Sequence, residues 1–441
     1  MLPNASEQLT PIISVNTSGL ITATAGAKTS THQLAFQAAK TITPSTTSQI
    51  AVSSGYFTGG NITVKGDANL IAGNIKSGVT IFGVNGTLEA GSGSSGEVAE
   101  WSENEDAIIS RTISGAYTND RVTTIGNCAF WSCTSLKTVS FPKVTSIDNG
   151  AFSYCRELTT ANFPVCKTIG SSVFHTCHSL TTVSFPAATT IGGGAFWSCI
   201  ELTTASFPAT TSIGSNAFYY CYSLTTISFP AVTVIGAYAF QNCSNLTTVS
   251  FSNVIEIPNG VFQNCINLTT VSFPKVTFIS DYAFRRCYML TTASFPKVAT
   301  IGSSAFENCS KLTTVSFPVA TAIGSNAFKN CSKLTAVSFP KVATIHSGAF
   351  QNCSNLTTVS FPVATTISSS AFQNCYSLSN LYLTNSVVCK LSNSNAFTST
   401  PYAGYSTYFS GTPYIYVPAS LVTAYKTATN WTYFSSRFVG I

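Results

Sequence analysis

Apolar positions return along this chain with one period. From Ile125 to Ile367 an isoleucine recurs twelve times at an unbroken spacing of 22 residues. Five positions after each comes Phe (Phe130 to Phe372), and eight after comes Cys (Cys133 to Cys375). Eleven after comes Leu (Leu136 to Leu378), and sixteen after comes Phe, replaced only by Leu383 in the last unit. Fourteen after comes Val, Ile, Ala or Leu, and a Pro usually follows the second Phe. The consensus reads IGxxAFxxCxxLTTVSFPxVTx. A fixed period of this length is the mark of stacked units, none of which can bury its apolar face alone.

Each unit predicts its own elements. LTTVSF is rich in β-branched and aromatic residues and reads as a short strand. The Pro after it cannot donate to a ladder and ends the strand. VTxI offers a second short extended run. GxxAFxxC suits a tight helical or 3₁₀ turn, with Ala, Val173 or Val261 where backbones come close. Stacked at about 4.8 Å, twelve units make an arc on the order of 55–60 Å long. The expected fold is a repeat solenoid with a parallel β-sheet on one side and short turns or 3₁₀ segments on the other.

This pattern resembles the BspA-like leucine-rich repeat, built on AFxxCxxLxxVxxP units, and the likeness covers roughly 125–383. It implies a parallel sheet on the concave side of a curved solenoid. It also implies adhesion and binding rather than catalysis. EDAIISRTISGAYTNDRVTTIG (105–126) resembles the irregular first unit of such proteins. YIYVPASLVTAYKTATNWTYFSSRFVGI (414–441) resembles their C-terminal ending, a strand and then a short amphipathic helix. The organisation read from this is an N-terminal cap at 101–124, twelve units at 125–383 and a C-terminal cap at 384–441.

Residues 1–90 lack the repeat and read as a small β-rich module. Within them, 38–90 resembles modules of tail fibres and tail-associated proteins of phages that infect gut Firmicutes. KGDANLIAGNIKSGVTIFGV is its most specific part. A short helix over Ala68–Lys76 and a strand over Val79–Val84 are expected there. The resemblance implies attachment to other tail components. Residues 91–100 are a Gly/Ser and acidic linker. Glu97, Glu100, Glu103, Glu105 and Asp106 form an acidic patch that reads as a solvated cap.

Composition narrows the function classes. Charged residues are only 8% of the chain, against about 25% in ordinary soluble domains. Solvation therefore falls to Ser, Thr, Asn and Gly. The net charge of +6 is scattered, with no basic stripe for a phosphate backbone, so no nucleic acid is expected. No apolar run is long enough to insert in a membrane. The N-terminus MLPNASEQLT lacks the form of a signal peptide, and neither end carries a lipidation motif. No Ser/His/Asp order or phosphate loop stands out, and four His with few carboxylates leave little for acid–base chemistry. The protein is expected to be non-enzymatic and to need no cofactor.

Twelve of the fifteen cysteines occupy one repeat position. They read as a ladder of buried, reduced thiols that pack as small hydrophobes. Parallel Cβ vectors on neighbouring rungs suit disulfides poorly. His175-Thr176-Cys177-His178 has the letters of a metal site. Its Cys should point inward and its His outward, and neighbouring units supply no further ligands, so no metal is expected.

Two surfaces remain. Thr138 and Ser140, Thr160 and Asn162, and their equivalents to Thr358 and Ser360 should face outward from the strands. They form a nearly uniform hydroxyl lattice that keeps an ion-poor sheet wet. The other surface varies from unit to unit. Positions six, seven, nine and ten after each Ile often hold a default, such as QNCSN at 241–245 and 351–355. Others depart from it: Trp131, Tyr154, His175, His178, Trp197, Tyr219, Tyr220 and Tyr222 lie in the first five units. Tyr282, Arg285, Arg286 and Tyr288 form a second group, and Tyr376 stands by itself. Stacking puts the first group in a patch about 20 Å long. Trp, Tyr and Arg are the types enriched in binding hot spots. Drift at exposed positions is the competing reading.

The leading expectation is an adhesin or receptor-binding protein, most specifically a phage tail fibre or tail-tip protein. The variable edge would recognise a bacterial surface glycan or protein. The alternatives are a bacterial cell-surface adhesin and a spacer without a ligand. A homo-oligomer is possible, though nothing reads as a coiled coil.

Overall fold

The computed structural model describes residues 113–404 and 412–441, and the backbone of four short strands before them. The chain divides into two units, Met1–Ala99 and Glu100–Ile441. In the first, Ile12–Val15 pairs antiparallel with Ile21–Thr24. Thr80–Ile81 pairs antiparallel with Val84–Asn85. The single strand expected over Val79–Val84 is thus two, with Gly83, a residue suited to turns, between them in the sequence. The helix expected over Ala68–Lys76, the linker and the acidic patch lie outside the described residues.

The second unit is a parallel β-solenoid. Each turn contributes a strand such as Thr182–Ser184, paired in register with Thr204–Ser206 of the next turn. It also contributes a two-residue strand such as Thr190–Ile191, paired with Ser212–Ile213. Alternation decides what faces where. Val183 is buried while Thr182 and Ser184 are exposed, so the hydroxyl lattice does face outward. The threonine before six of these strands has a different task. Thr159, Thr203, Thr225, Thr269, Thr313 and Thr357 donate their hydroxyls to the carbonyl 22 residues earlier, at 3.0–3.2 Å.

The third side corrects an expectation. GxxAFxxC is not a helical or 3₁₀ turn. Its N–H groups alternate between the same turn and the next one. Ser153 N–H donates to Gly150 O and Cys155 N–H to Phe152 O, at 2.9 and 3.2 Å. Between them, Phe152 N–H reaches Val173 O and Tyr154 N–H reaches His175 O, at 2.8 and 2.7 Å. A 3₁₀ helix would keep all these donors local and leave the stack unbonded on this side. The alternation requires left-handed residues three and seven positions after each Ile, for example Gly150 (φ 65°) and Tyr154 (φ 63°). Among the described residues, 3₁₀ helices occur only after the repeats, from Ser394–Phe397 onward.

Two files of phenylalanine fill the interior. Phe152 stacks on Phe174 at 5.4 Å, and Phe163 on Phe185 at 5.6 Å. The ladder cysteines are fully buried, as expected, and they also donate. From Cys155 to Cys375 each thiol gives a hydrogen bond of 3.0–3.2 Å to the carbonyl of the Phe 25 residues earlier. Burial pushes these thiols far above their ordinary range, and Cys166 and Cys389 up to about 12.

Both ends of the stack carry strands beyond the twelve units. Gly115–Thr118 pairs with Leu136–Ser140 at the start. At the other end Asn380–Tyr382, Tyr414–Val417 and Phe438–Gly440 continue the sheet. The helix Val422–Thr427 follows. Its Tyr425 hydroxyl accepts from Cys389 N–H at 2.9 Å, and Trp431 Nε1–H donates to Cys389 O at 2.6 Å. Covering the last strand removes a template for edge pairing.

Candidate functional site

The variable positions all lie on the side built by these turns. Six and seven after each Ile, the chain brings side chains out between the inward Phe and Cys. Stacking then sets equivalent positions one rung apart. The first group of aromatic residues becomes one continuous file of rings. Trp131 meets Tyr154 at 6.0 Å, Tyr154 meets His175 at 5.2 Å, and His175 meets Trp197 at 5.5 Å. Trp197 meets Tyr219 at 4.7 Å, Tyr219 meets Tyr220 at 4.2 Å, and Tyr220 meets Tyr222 at 5.4 Å. The contacts are tilted or edge-to-face, the favoured geometry for aromatic pairs. Tyr222 is exposed and the other six rings are half-buried.

Burial tunes the polar members. It lowers the pKa of His175, and the neighbouring His178 adds to the shift. The Thr176 hydroxyl lies 3.0 Å from His175 Nδ1. His178 stands beside the file, its pKa lowered by burial and by Arg156, with Glu201 opposing. Tyr219 is pushed up to about 12 by burial and then by its hydrogen bond with Tyr220. Cys177 faces the core, donating to Phe152 O at 3.1 Å. Among the described residues no three His, Cys, Asp or Glu gather in a group that could hold a metal ion.

The second group is brought together only in part. Arg285 Cζ lies 5.5 Å from the centre of the Tyr282 ring. Its Nε sits 2.9 Å from Glu307 Oε2, an ion pair without good hydrogen-bond alignment. Arg286 and Tyr288 are exposed beside them. Three rungs, about 14 Å, separate this group from the unit of Tyr219.

The default residues have a structural reason that the repeat pattern does not display. Position seven is left-handed in every unit, and six units hold Asn there, from Asn242 to Asn374. Asn tolerates that conformation better than other L-residues. The amides also join into ladders: Asn264 donates to Asn242, Asn330 to Asn308, Asn352 to Asn330 and Asn374 to Asn352, at 2.6–2.8 Å. Tyr154, Tyr220 and Arg286 occupy the same left-handed position without either advantage.

One aromatic residue on this side escaped the sequence reading. Tyr238 is left-handed, three positions after Ile235, and its ring covers Gly260 of the next turn so closely that a Cβ there would collide with it. The signal was a large residue where most other units place Gly, Ser or Asn, the position that Tyr282 holds in its own unit.

A parallel solenoid with a variable side is a scaffold of the kind that leucine-rich repeats provide for binding. The model of the BspA type leucine-rich repeat region matches residues 110–212, 167–291, 211–335 and 277–404, and the chain belongs to that family. Among solved structures, a leucine-rich repeat protein from Bacteroides ovatus is 19% identical, with a TM-score of 0.48, over 74% of this chain and 94% of its own. A leucine-rich cell surface protein from Faecalibacterium prausnitzii is 28% identical, with a TM-score of 0.40, over 63% of this chain and 80% of its own. A leucine-rich repeat protein from Eubacterium ventriosum is 22% identical, with a TM-score of 0.44, over 67% and 91%. No curated protein matches the chain.

Proposed function

We propose that this protein is a non-enzymatic recognition protein that binds a bacterial surface glycan or protein through the turn side of its solenoid. The observation that carries the reading is the unbroken file from Trp131 to Tyr222. It holds Tyr at left-handed positions where Asn would fit the backbone better. Aromatic residues at such positions have a conformational cost, so a gain elsewhere has to offset it. Half-buried rings in a row give rigid, neutral contact area, suited to sugar faces or to apolar side chains of a protein.

Two settings fit this surface. A bacterial cell-surface adhesin is the setting that the repeat family suggests, and among the described residues no helix is long and apolar enough to cross a membrane. A phage tail fibre or tail-tip protein is the other. It rests on the resemblance of residues 38–90 alone. The test is binding of the labelled full chain to a panel of intact gut bacteria. Periodate-treated and protease-treated cells run in parallel. Binding lost with periodate marks a glycan, and binding lost with protease marks a protein. No binding to any cell of the panel argues for a spacer.

A further inference from the structure

The two β-ladders of the solenoid are interrupted together at one place. The longer strands pair without a break from Gly115–Thr118 to Thr226–Ser228, and the two-residue strands from Thr124–Ile125 to Val234–Ile235. Neither pairs onward with the next turn, whose strands are Thr248–Ser250 and Glu256–Ile257. Later interruptions, such as that between Thr270–Ser272 and Thr292–Ser294, affect the longer strands only.

The sequence supplies the cause. Pro258 stands where other units place a residue with an N–H. Gly236 N–H donates to Ile213 O at 2.7 Å and Ser280 N–H to Ile257 O at 2.9 Å, a bond that proline cannot make. Ser252 replaces the usual proline after the second Phe, and Ile255 replaces the Thr that ties Thr233 to Thr211 O and Thr277 to Ile255 O. The core opens with the sheets. Phe207 stacks on Phe229 at 5.3 Å and 5°, whereas Phe229 meets Phe251 at 6.3 Å and 21°.

The turn side stays closed. Across the same junction Tyr238, Phe240 and Asn242 donate to Asn259, Val261 and Gln263, at 2.8–3.0 Å. On this side Phe218 still stacks on Phe240 at 5.3 Å, and Phe240 on Phe262 at 5.7 Å. A three-sided stack whose ladders are interrupted on two sides, where the Asn253 side-chain amide still donates to Pro230 O at 3.4 Å, and whose backbone is bonded on the third bends toward the third.

We propose that the junction between 226–235 and 248–257 is a hinge that bends the solenoid toward its turn side. The bend brings the ring file and the Tyr282–Arg286 group, which lie on either side of it, toward each other around a bound ligand. The second half of this statement rests on the turn side being the contact surface, and the first does not.

Hydrogen exchange on the full chain tests the hinge. The amides of Phe229 and Thr247 should exchange about tenfold faster than those of Phe207 and Thr225, which are bonded to Ser228 O and Thr203 O. The triple variant Ser252→Pro, Ile255→Thr, Pro258→Gly gives this turn the consensus letters and should slow the junction to the rate of its neighbours. Equal rates in the wild type, or no slowing in the variant, overturn the hinge. The variant should also bind intact host cells at least about threefold more weakly, because closure is hindered. Slowed exchange with undiminished binding overturns the closing motion. If the wild type binds no cells, the contact-surface reading fails while the exchange result still decides the hinge.

Discussion

Replacing Tyr220 by Asn should stabilise the protein slightly, against the usual direction for a point substitution. Tyr220 is left-handed at φ 61°. Asn relieves roughly 1 kcal/mol of that conformational cost. Its side chain would also extend the amide ladder toward Asn242, a net gain of about 0.5–1 kcal/mol for one hydrogen bond. Against this, the exposed hydrogen bond to Tyr219, about 0.5 kcal/mol, and the ring contacts to Tyr219 and Tyr222 are lost. On a half-exposed surface they amount to about 0.5 kcal/mol each. The balance is a gain of up to about 0.5 kcal/mol. Guanidinium unfolding of the full chain, followed by circular dichroism, measures it as a small rise in midpoint at unchanged slope. A loss of more than about 1 kcal/mol would refute the reasoning. It would mean that Tyr220 belongs to the packing of the solenoid and not to a surface held at some expense of stability.

Other outcomes follow from the same geometry. Cys243→Ala removes a fully buried sulfur and its bond to Phe218 O. The carbonyl keeps Cys221 N–H, so it is not orphaned, and a loss of about 1.5–2 kcal/mol is expected by denaturant titration. Cys243→Ser, which keeps a donor, should behave differently from Ala if the thiol bond matters. Stability should also respond to acid through His175. Its folded pKa is lowered, so the unfolded chain takes up its proton first. Stability is full above the unfolded value of about 6.5 and falls as pH drops through the window below it. Unfolding midpoints at pH 7.5 and 5.0 should differ in the wild type and converge in His175→Gln, apart from the remainder due to His178. Gly260→Ala should displace the Tyr238 ring, which would collide with the added Cβ, and change tyrosine fluorescence.

Most of the solenoid was legible because its information is periodic. A residue that returns every 22 positions states which way it faces, so Ile213, Phe218, Cys221, Leu224, Ile227 and Phe229 could be placed inward from letters alone; all are buried except Ile227, which is half-buried against the core. The same logic put the variable residues together on one side. Periodicity carries facing but not φ, however. The left-handed turns were therefore read as a helical or 3₁₀ segment. Their trace was present in the Asn of QNCSN and in Gly150, Gly194, Gly260 and Gly348, residue types that favour this conformation. The thiol bonds were invisible for another reason. Nothing in a sequence tells whether a buried Cys spends its S–H on a carbonyl, and only the offset between rungs brings Cys155 to Phe130 O. Ser252, Ile255 and Pro258 depart from the consensus letters, a departure the period of the apolar residues hides, and its coincidence with two interrupted ladders required the structure.

Recognition through the aromatic turn side stands or falls on one binding comparison. The most direct measurement is cell binding by the quadruple variant Trp197→Gln, Tyr219→Lys, Tyr220→Asn, Tyr222→Ser, which borrows the default residues of other units. The account predicts unfolding midpoints close to wild type and binding reduced at least tenfold, the loss of about 1.4 kcal/mol of contact energy or more. Wild-type binding by a variant that folds as well as the parent would contradict it.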